Sequence, residues 1–219
     1  MLFLFKRLAL LGDVWVLWVL LAASVLSLGV AVERWLLFRR SRVDFPAFLG
    51  RFRGLLEKGD FTGGRQWARS IPALEARVAL AGLDHFPLGS DSVTEAMAAQ
   101  MVLERSLLER RLVFLGTLGN NAPFIGLFGT VLGIIKAFND LGAAGQGGVA
   151  VVMAGISSAL IATAFGILVA LPAVMANNYF QTAIRRRLAN AQGVAHTVQL
   201  FAKSRRAAEA PTPDFTTVP

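Results

Sequence analysis

Between Leu141 and Ile184 the chain carries no aspartate, glutamate, lysine or arginine. A spanning helix needs roughly 20 apolar residues at about 1.5 Å rise each, so this run alone is long enough to cross a bilayer. A second apolar run, LGNNAPFIGLFGTVLGIIKAF (Leu118–Phe138), precedes it, with only a short glycine-rich turn between them. Two spans joined this closely must form a tight antiparallel hairpin in lipid. The polar side chains inside it are few: Asn120, Asn121, Thr130, Ser157, Ser158 and Thr163. Function has to be sought among them.

The rest of the composition agrees with an integral membrane protein. The 219 residues are 55% hydrophobic, too apolar for an ordinary soluble core. There are no cysteines, which excludes disulfides and thiolate metal sites. A net charge of +8 invites a nucleic-acid reading, but the basic residues cluster beside the spans, as topology selection requires. Nucleic-acid binding is not expected.

The expected fold is all-α: three transmembrane helices with long cytoplasmic helical extensions, N-terminus outside and C-terminus cytoplasmic. Residues 1–13 read as an uncleaved interfacial segment. Residues 14–38 hold the first span, its uncharged core Val14–Val32 flanked by Trp15, Trp18 and Trp35 as an aromatic belt. Glu33 follows at the span's edge, where a boundary ion pair with Arg34, a solvated charge and a proton-carrying role all stand as readings. Residues 39–111 form a cytoplasmic helical segment. In it Asp44 and Pro46 start one helix and Gly59 stops it, and Pro72 opens another that runs to about His85. A loop at Pro87–Ser90 is followed by a capping box at Ser92 and Glu95, which starts a long helix continuing into the membrane. Residues 112–140 are the second span, 141–148 a periplasmic turn and 149–180 the third span. Residues 181–202 are a cytoplasmic extension in which Arg185, Arg186 and Arg187 face anionic headgroups. Residues 203–219 have the composition of a disordered tail. The orientation rests on twelve basic residues in 39–111 and six after Gln181, against none in the turn.

At about 100° per residue, Gly119, Pro123, Gly126, Thr130, Gly133 and Ala137 fall on one stripe of the second span. Gly155, Ala159, Ala162, Thr163, Gly166, Ala170, Ala173 and Asn177 make a matching stripe on the third. Small residues let helices approach closely in lipid, where van der Waals contact drives association, so the stripes can serve packing alone. The threonines say more. A lone membrane threonine bonds its own backbone carbonyl, but Thr130 and Thr163 come to similar depth on the two stripes and suggest a narrow polar spot lining an interface or pore. Pro123 lacks an amide hydrogen and frees a carbonyl near Gly119. No carboxylate, histidine or lysine lies at mid-depth. If protons cross here, another chain must supply the titrating group, and an intramembrane aspartate facing the threonines would fit. His85 and His196 are isolated, so no metal site or cofactor is expected. No catalytic constellation appears, and the chain is not read as an enzyme.

At these residues, APFIGLFGTVLGIIKAF (Ala122–Phe138) and GISSALIATAFGILVALPAVMANNYF (Gly155–Phe180) resemble the two signature stretches of the ExbB/TolQ/MotA proton-channel family. Three spans with the N-terminus outside look like its ExbB/TolQ branch. The resemblance implies a homopentamer around the transmembrane helices of an ExbD/TolR-like single-span partner that carries the proton-binding aspartate. It also implies a TonB/TolA-like or motility effector beyond that partner and a place in the bacterial inner membrane. Proton flow would then drive rotation and so work at the periplasm or outer membrane. Carried over by motif, Thr130 and Thr163 match the family's pore threonines and Pro123 the proline of its APF motif, and Ser158 is set with the threonines in the proton pathway. Pro123, Gly126, Gly133, Gly155, Ala159 and Gly166 belong to the partner-helix interface. One position departs: ExbB and TolQ proteins have glutamate in GIAEALIATA where this chain has Ser158, which cannot ionise. The rival expectations are an oligomeric scaffold and a small secondary transporter, the latter weakened by the absence of an internal repeat.

Overall fold

A computed structural model describes residues 12, 14–144 and 148–209. Every regular element in it is helical: α1 (Val14–Arg40), α2 (Phe45–Glu57), α3 (Phe61–Arg69), α4 (Leu74–Asp84), a 3₁₀ turn (Phe86–Leu88), α5 (Ser90–Glu109), α6 (Leu112–Ala144) and α7 (Gly148–Glu209). The chain divides into two compact units, Met1–Trp35 with Arg111–Gln181, and Leu36–Arg110 with Thr182–Pro219. Three helices, α1, α6 and α7, are long and apolar enough to cross a membrane.

The first unit is built from α1, α6 and the first half of α7. Val16, Leu20, Leu118, Ala122, Leu132, Val169, Ala170 and Ala173 form its core, with Trp15 and Phe165 packed against it. Large apolar side chains point outward instead: Trp18, Leu28, Phe124, Leu168 and Met175 are all exposed. That inversion is what a lipid solvent permits, because an outward leucine costs nothing there and the interior can be given to small residues. Trp15 sets its ring edge-on to Phe128 at 6.3 Å, while Trp18 and Trp35 are exposed.

The second unit is packed as in water. Phe48, Phe52, Leu74, Val78, Leu83, Val93 and Met97 are buried, together with Ile184, Val194 and Val198 from α7. Phe48 stacks on Trp67 at 5.0 Å. The Glu104 side chain, 3% exposed, receives both Arg77 Nε and Nη2, at 2.5 and 2.6 Å, and Gln100 Nε2 at 2.8 Å. A charge buried this far is tolerable because two donor groups saturate it.

Several local expectations change. The start of α2 is not among them: it begins at Phe45, directly after Asp44, as expected. The helix α3 was not expected between Gly59 and Pro72; it starts because Asp60 Oδ1 accepts the Gly63 amide at 2.8 Å, an ordinary N-cap. The capping box at Ser92 and Glu95 does not form. α5 starts three residues earlier, after Gly89 in an extended positive-φ conformation, so Ser92 lies inside the helix and its hydroxyl bonds back to the Leu88 carbonyl at 3.4 Å.

α5 also fails to run on into the membrane. It stops at Glu109, and Arg111 adopts φ +69, a left-handed backbone that disfavours a non-glycine residue by about 1–2 kcal/mol. Arg187 does not face headgroups. Its guanidinium donates to the Phe38 carbonyl at 3.2 Å, the Ser41 carbonyl at 2.6 Å and Ser41 Oγ at 2.7 Å, capping the C-terminal end of α1. A cation on the last carbonyls is favoured by the helix dipole. Burial lowers the pKa of this guanidinium from the usual arginine value; Glu75 opposes that shift and Arg77 adds to it. α6 continues to Ala144 and α7 begins at Gly148, so helix takes up most of the expected 141–148 turn, and residues 145–147 lie outside the described residues. α7 extends to Glu209, into the stretch read as a disordered tail; residues 210–219, like the interfacial segment apart from Gly12, lie outside the described residues.

Candidate functional site

The site is the seam between α6 and α7, where the two stripes meet. Its construction follows from glycine at two facing positions. A Cβ placed on Gly126 would lie 2.7 Å from the Ala162 carbonyl oxygen and 3.2 Å from Gly166 Cα. One placed on Gly166 would lie 2.6 Å from the Ala122 carbonyl oxygen and 3.0 Å from Gly126 Cα. The two backbones therefore touch directly, and no other residue fits without parting the helices. Further out, a Cβ on Gly155 would fall 2.4 Å from Ala137 Cβ. Further in, the space over Gly119 is filled by Val174, and Asn177 packs over Gly116.

One turn outward from the Gly126–Gly166 contact the hydroxyls of Thr130 and Thr163 hydrogen-bond to each other. The close approach is what makes this possible, since threonine side chains are too short to meet across an ordinary helix pair. Thr130 is 8% exposed, and its Oγ1 also lies 3.3 Å from the Gly126 carbonyl and 3.3 Å from the carbonyl of fully buried Ala159. A hydroxyl has one proton to give. Thr130 can donate it to either carbonyl while accepting from Thr163, or donate to Thr163. These arrangements differ only by rotation about the C–O bonds. Thr163 is the half-buried outer member, and Thr130 the buried inner one.

The other sequence-selected residues divide. Gly126, Gly133, Ala159 and Gly166 are buried, and Gly155 is half-buried against Ala137. At Gly126, Gly155 and Gly166 the room left by the missing side chains is filled by the hairpin of this same chain, where sequence had set them toward a partner helix. Pro123 lies within α6, half-buried. Ser158 is exposed.

Ionisable groups sit at the ends of the spans. Lys136 Nζ pairs with Asp140 at 2.9 Å toward the end of α6. At the other end Glu33 is 3.9 Å from Arg34 and also receives Arg111 Nη1, a partner that no local spacing announces. Glu33 thus makes the boundary ion pair, with Arg111 as well as Arg34, and its side chain stays 43% exposed. Among the described residues no cluster of histidines and carboxylates could hold a metal ion. The seam can thus solvate or relay a proton through two hydroxyls, but its own side chains cannot store one.

A family model described as the MotA/TolQ/ExbB proton channel family matches residues 70–192, more than half of the chain and all of the seam. The chain is 46% identical over 90 residues to the Tol-Pal system protein TolQ of Pseudomonas aeruginosa, covering 41% of this chain and 39% of that one. It is 37% identical over 112 residues to the biopolymer transport protein ExbB of Xanthomonas campestris pv. campestris, covering 51% and 44%. Over 62 residues it is 60% identical to a putative biopolymer transport protein, ExbB-like 1, of Helicobacter pylori, covering 28% and 33%. The chain spans less than half the length of these curated relatives.

Proposed function

The chain belongs to the MotA/TolQ/ExbB proton channel family, and on that premise we propose that it is the proton-channel, stator-type subunit of an inner-membrane motor. It is a multi-pass protein of the bacterial inner membrane. In this reading it works as a homopentamer around an ExbD/TolR-like single-span partner whose intramembrane aspartate carries the proton. The aspartate is protonated from the periplasm, passes the Thr130–Thr163 seam and releases its proton toward the cytoplasm. The motion does work on a TonB/TolA-like or motility effector at the periplasm or outer membrane. The N-terminus lies outside and the basic extensions inside, in keeping with the positive-inside rule.

The observation that carries this reading is the hydroxyl pair at mid-span, with no ionisable side chain among its hydrogen-bond partners in the described residues. Two hydroxyls in a low-dielectric seam stabilise a proton in transit without trapping it, whereas a carboxylate there would hold one. Ser158, where ExbB and TolQ proteins carry glutamate, leaves the partner's aspartate as the titrating group of the pathway.

The test is proton uptake into liposomes holding the purified chain with and without its aspartate-bearing partner. Uptake that requires the partner, and is lost when the partner's aspartate is changed to asparagine, is the expected outcome. The close glycine contacts within one chain favour a second reading, an oligomeric scaffold in which the stripes serve packing alone. It predicts no uptake with either composition and full assembly in both.

A further inference from the structure

The junction between α5 and α6 holds an arginine in a place that disfavours arginine twice. Arg111 has φ +69, making it the one non-glycine residue with positive φ among the described residues. Glycine or asparagine is the ordinary occupant of such a backbone. Arg111 also stands at the N-terminal end of α6, where its carbonyl accepts the Phe114 amide at 3.2 Å. The dipole of a helix repels a cation at that end, and serine, threonine, aspartate or asparagine would be the usual cap.

Sequence gives no reason for a break here. Leu107, Leu108, Glu109, Arg110, Arg111 and Leu112 are all good helix formers, with neither glycine nor proline among them. Left to local preference, α5 would continue into α6. A side chain 78 positions away meets the break: Arg111 Nη1 donates to Glu33 Oε2, and the other oxygen of that carboxylate lies 3.9 Å from Arg34, whose side chain is 5% exposed. The carboxylate thus gathers one exposed and one buried guanidinium seven residues before the end of α1. Local preference and tertiary contact disagree at this one point, which is where a protein keeps a second conformation within reach.

We propose that the Glu33–Arg111 contact is a clasp that holds the α5–α6 junction in one of two states. Clasped, Arg110 and Arg111 are non-helical and α6 begins afresh at Leu112. Released, the two arginines take up helical backbone and α5 runs into α6 without interruption. Any group that competes for either charge shifts the balance toward the continuous helix. The proposal goes beyond the channel reading and does not rest on it, since it concerns the backbone at 110–113 whatever the seam conducts.

The readout is amide hydrogen exchange across the junction in the full chain, reconstituted in lipid nanodiscs. At a helix start the first amides lack an intrahelical acceptor, so those of Arg111, Leu112 and Val113 exchange fast in the clasped state. In Glu33→Ala and in Arg111→Ala they are expected to slow by about tenfold or more, as they gain acceptors one turn back in α5. The exchanged pair Glu33→Arg/Arg111→Glu restores the charge contact and is expected to return them to the fast rate. Unchanged exchange at the three amides in both single variants would overturn the proposal. So would a loss of protection throughout α6 in both, which would make the contact a plain stabiliser. A charge-exchanged protein as slow as the single variants would overturn it too, because pairing would then not be what holds the break.

Discussion

The two units solve the same problem, holding helices together, with opposite materials. In the unit formed by α2–α5 and the far half of α7, contact is made by large side chains: Phe52 and Met97 are fully buried, and Phe48 lies flat on Trp67. In the membrane hairpin it is made by backbone against backbone at Gly126 and Gly166. Water drives the first arrangement, because burying an aromatic ring removes apolar surface from it. Lipid offers no such gain, so the hairpin relies on proximity. What the difference teaches is that a hydroxyl–hydroxyl contact at mid-span can be positioned only where the side chains around it have been reduced to almost nothing.

The comparison can be broken at either end. The largest effect on stability belongs to Phe52→Ala, which leaves a cavity in the water-packed unit and is expected to cost about 3–5 kcal/mol, read from thermal or denaturant unfolding of the reconstituted protein. Next is Gly126→Ala. The added methyl meets the Ala162 carbonyl at 2.7 Å, a backbone atom that cannot turn aside, so the helices part at a cost of about 1–3 kcal/mol. The Thr130–Thr163 contact is lost with it, and partner-dependent proton uptake falls by about tenfold or more. Arg187→Lys should then weaken the cap on α1 by about 1–2 kcal/mol, because an ammonium cannot reproduce the guanidinium's three bonds to Phe38 and Ser41. Limited proteolysis between α1 and α2 would show it.

The smallest effect sharpens the contrast most. Gly82→Ala makes the same chemical change as Gly126→Ala, and its methyl also meets an atom at 2.7 Å, but that atom is Met97 Sδ, in an unbranched flexible side chain, with Val198 Cγ1 next at 3.1 Å. The change in stability is expected to stay within about 1 kcal/mol, with the helix preference for alanine offsetting the crowding. If Gly82→Ala and Gly126→Ala prove equally damaging, the distinction between the two units fails.

Legibility followed the same division. Sequence exposed the spans because lipid demands long uninterrupted apolar runs, and it matched Thr130 to Thr163 because helical period and hairpin geometry fix depth. It also found the two stripes and left open whether they pack the hairpin on itself or meet a partner helix; over Gly126 and Gly166 the hairpin takes the space. The short polar helix α3 escaped because nine residues beginning FTGG carry little helical signal, and only Asp60 marked the start. The misread capping box failed for a similar reason: Ser92 and Glu95 have the right spacing, but Gly89 supplies a better place to begin. Arg111 and Arg187 were beyond reach. Their roles depend on Glu33 and Ser41, 78 and 146 positions away, and no local pattern encodes such pairings.

The central claim is that the Thr163 hydroxyl serves proton transfer and not packing. The most direct measurement is partner-dependent proton uptake into liposomes for wild type, Thr163→Ser and Thr163→Val, each checked for intact assembly. Serine keeps the hydroxyl and loses a methyl; valine keeps the shape and loses the hydroxyl. The account predicts that serine retains most of the uptake and that valine lowers it by at least about tenfold with assembly unchanged. Uptake in Thr163→Val equal to wild type would contradict it and return the threonine pair to packing.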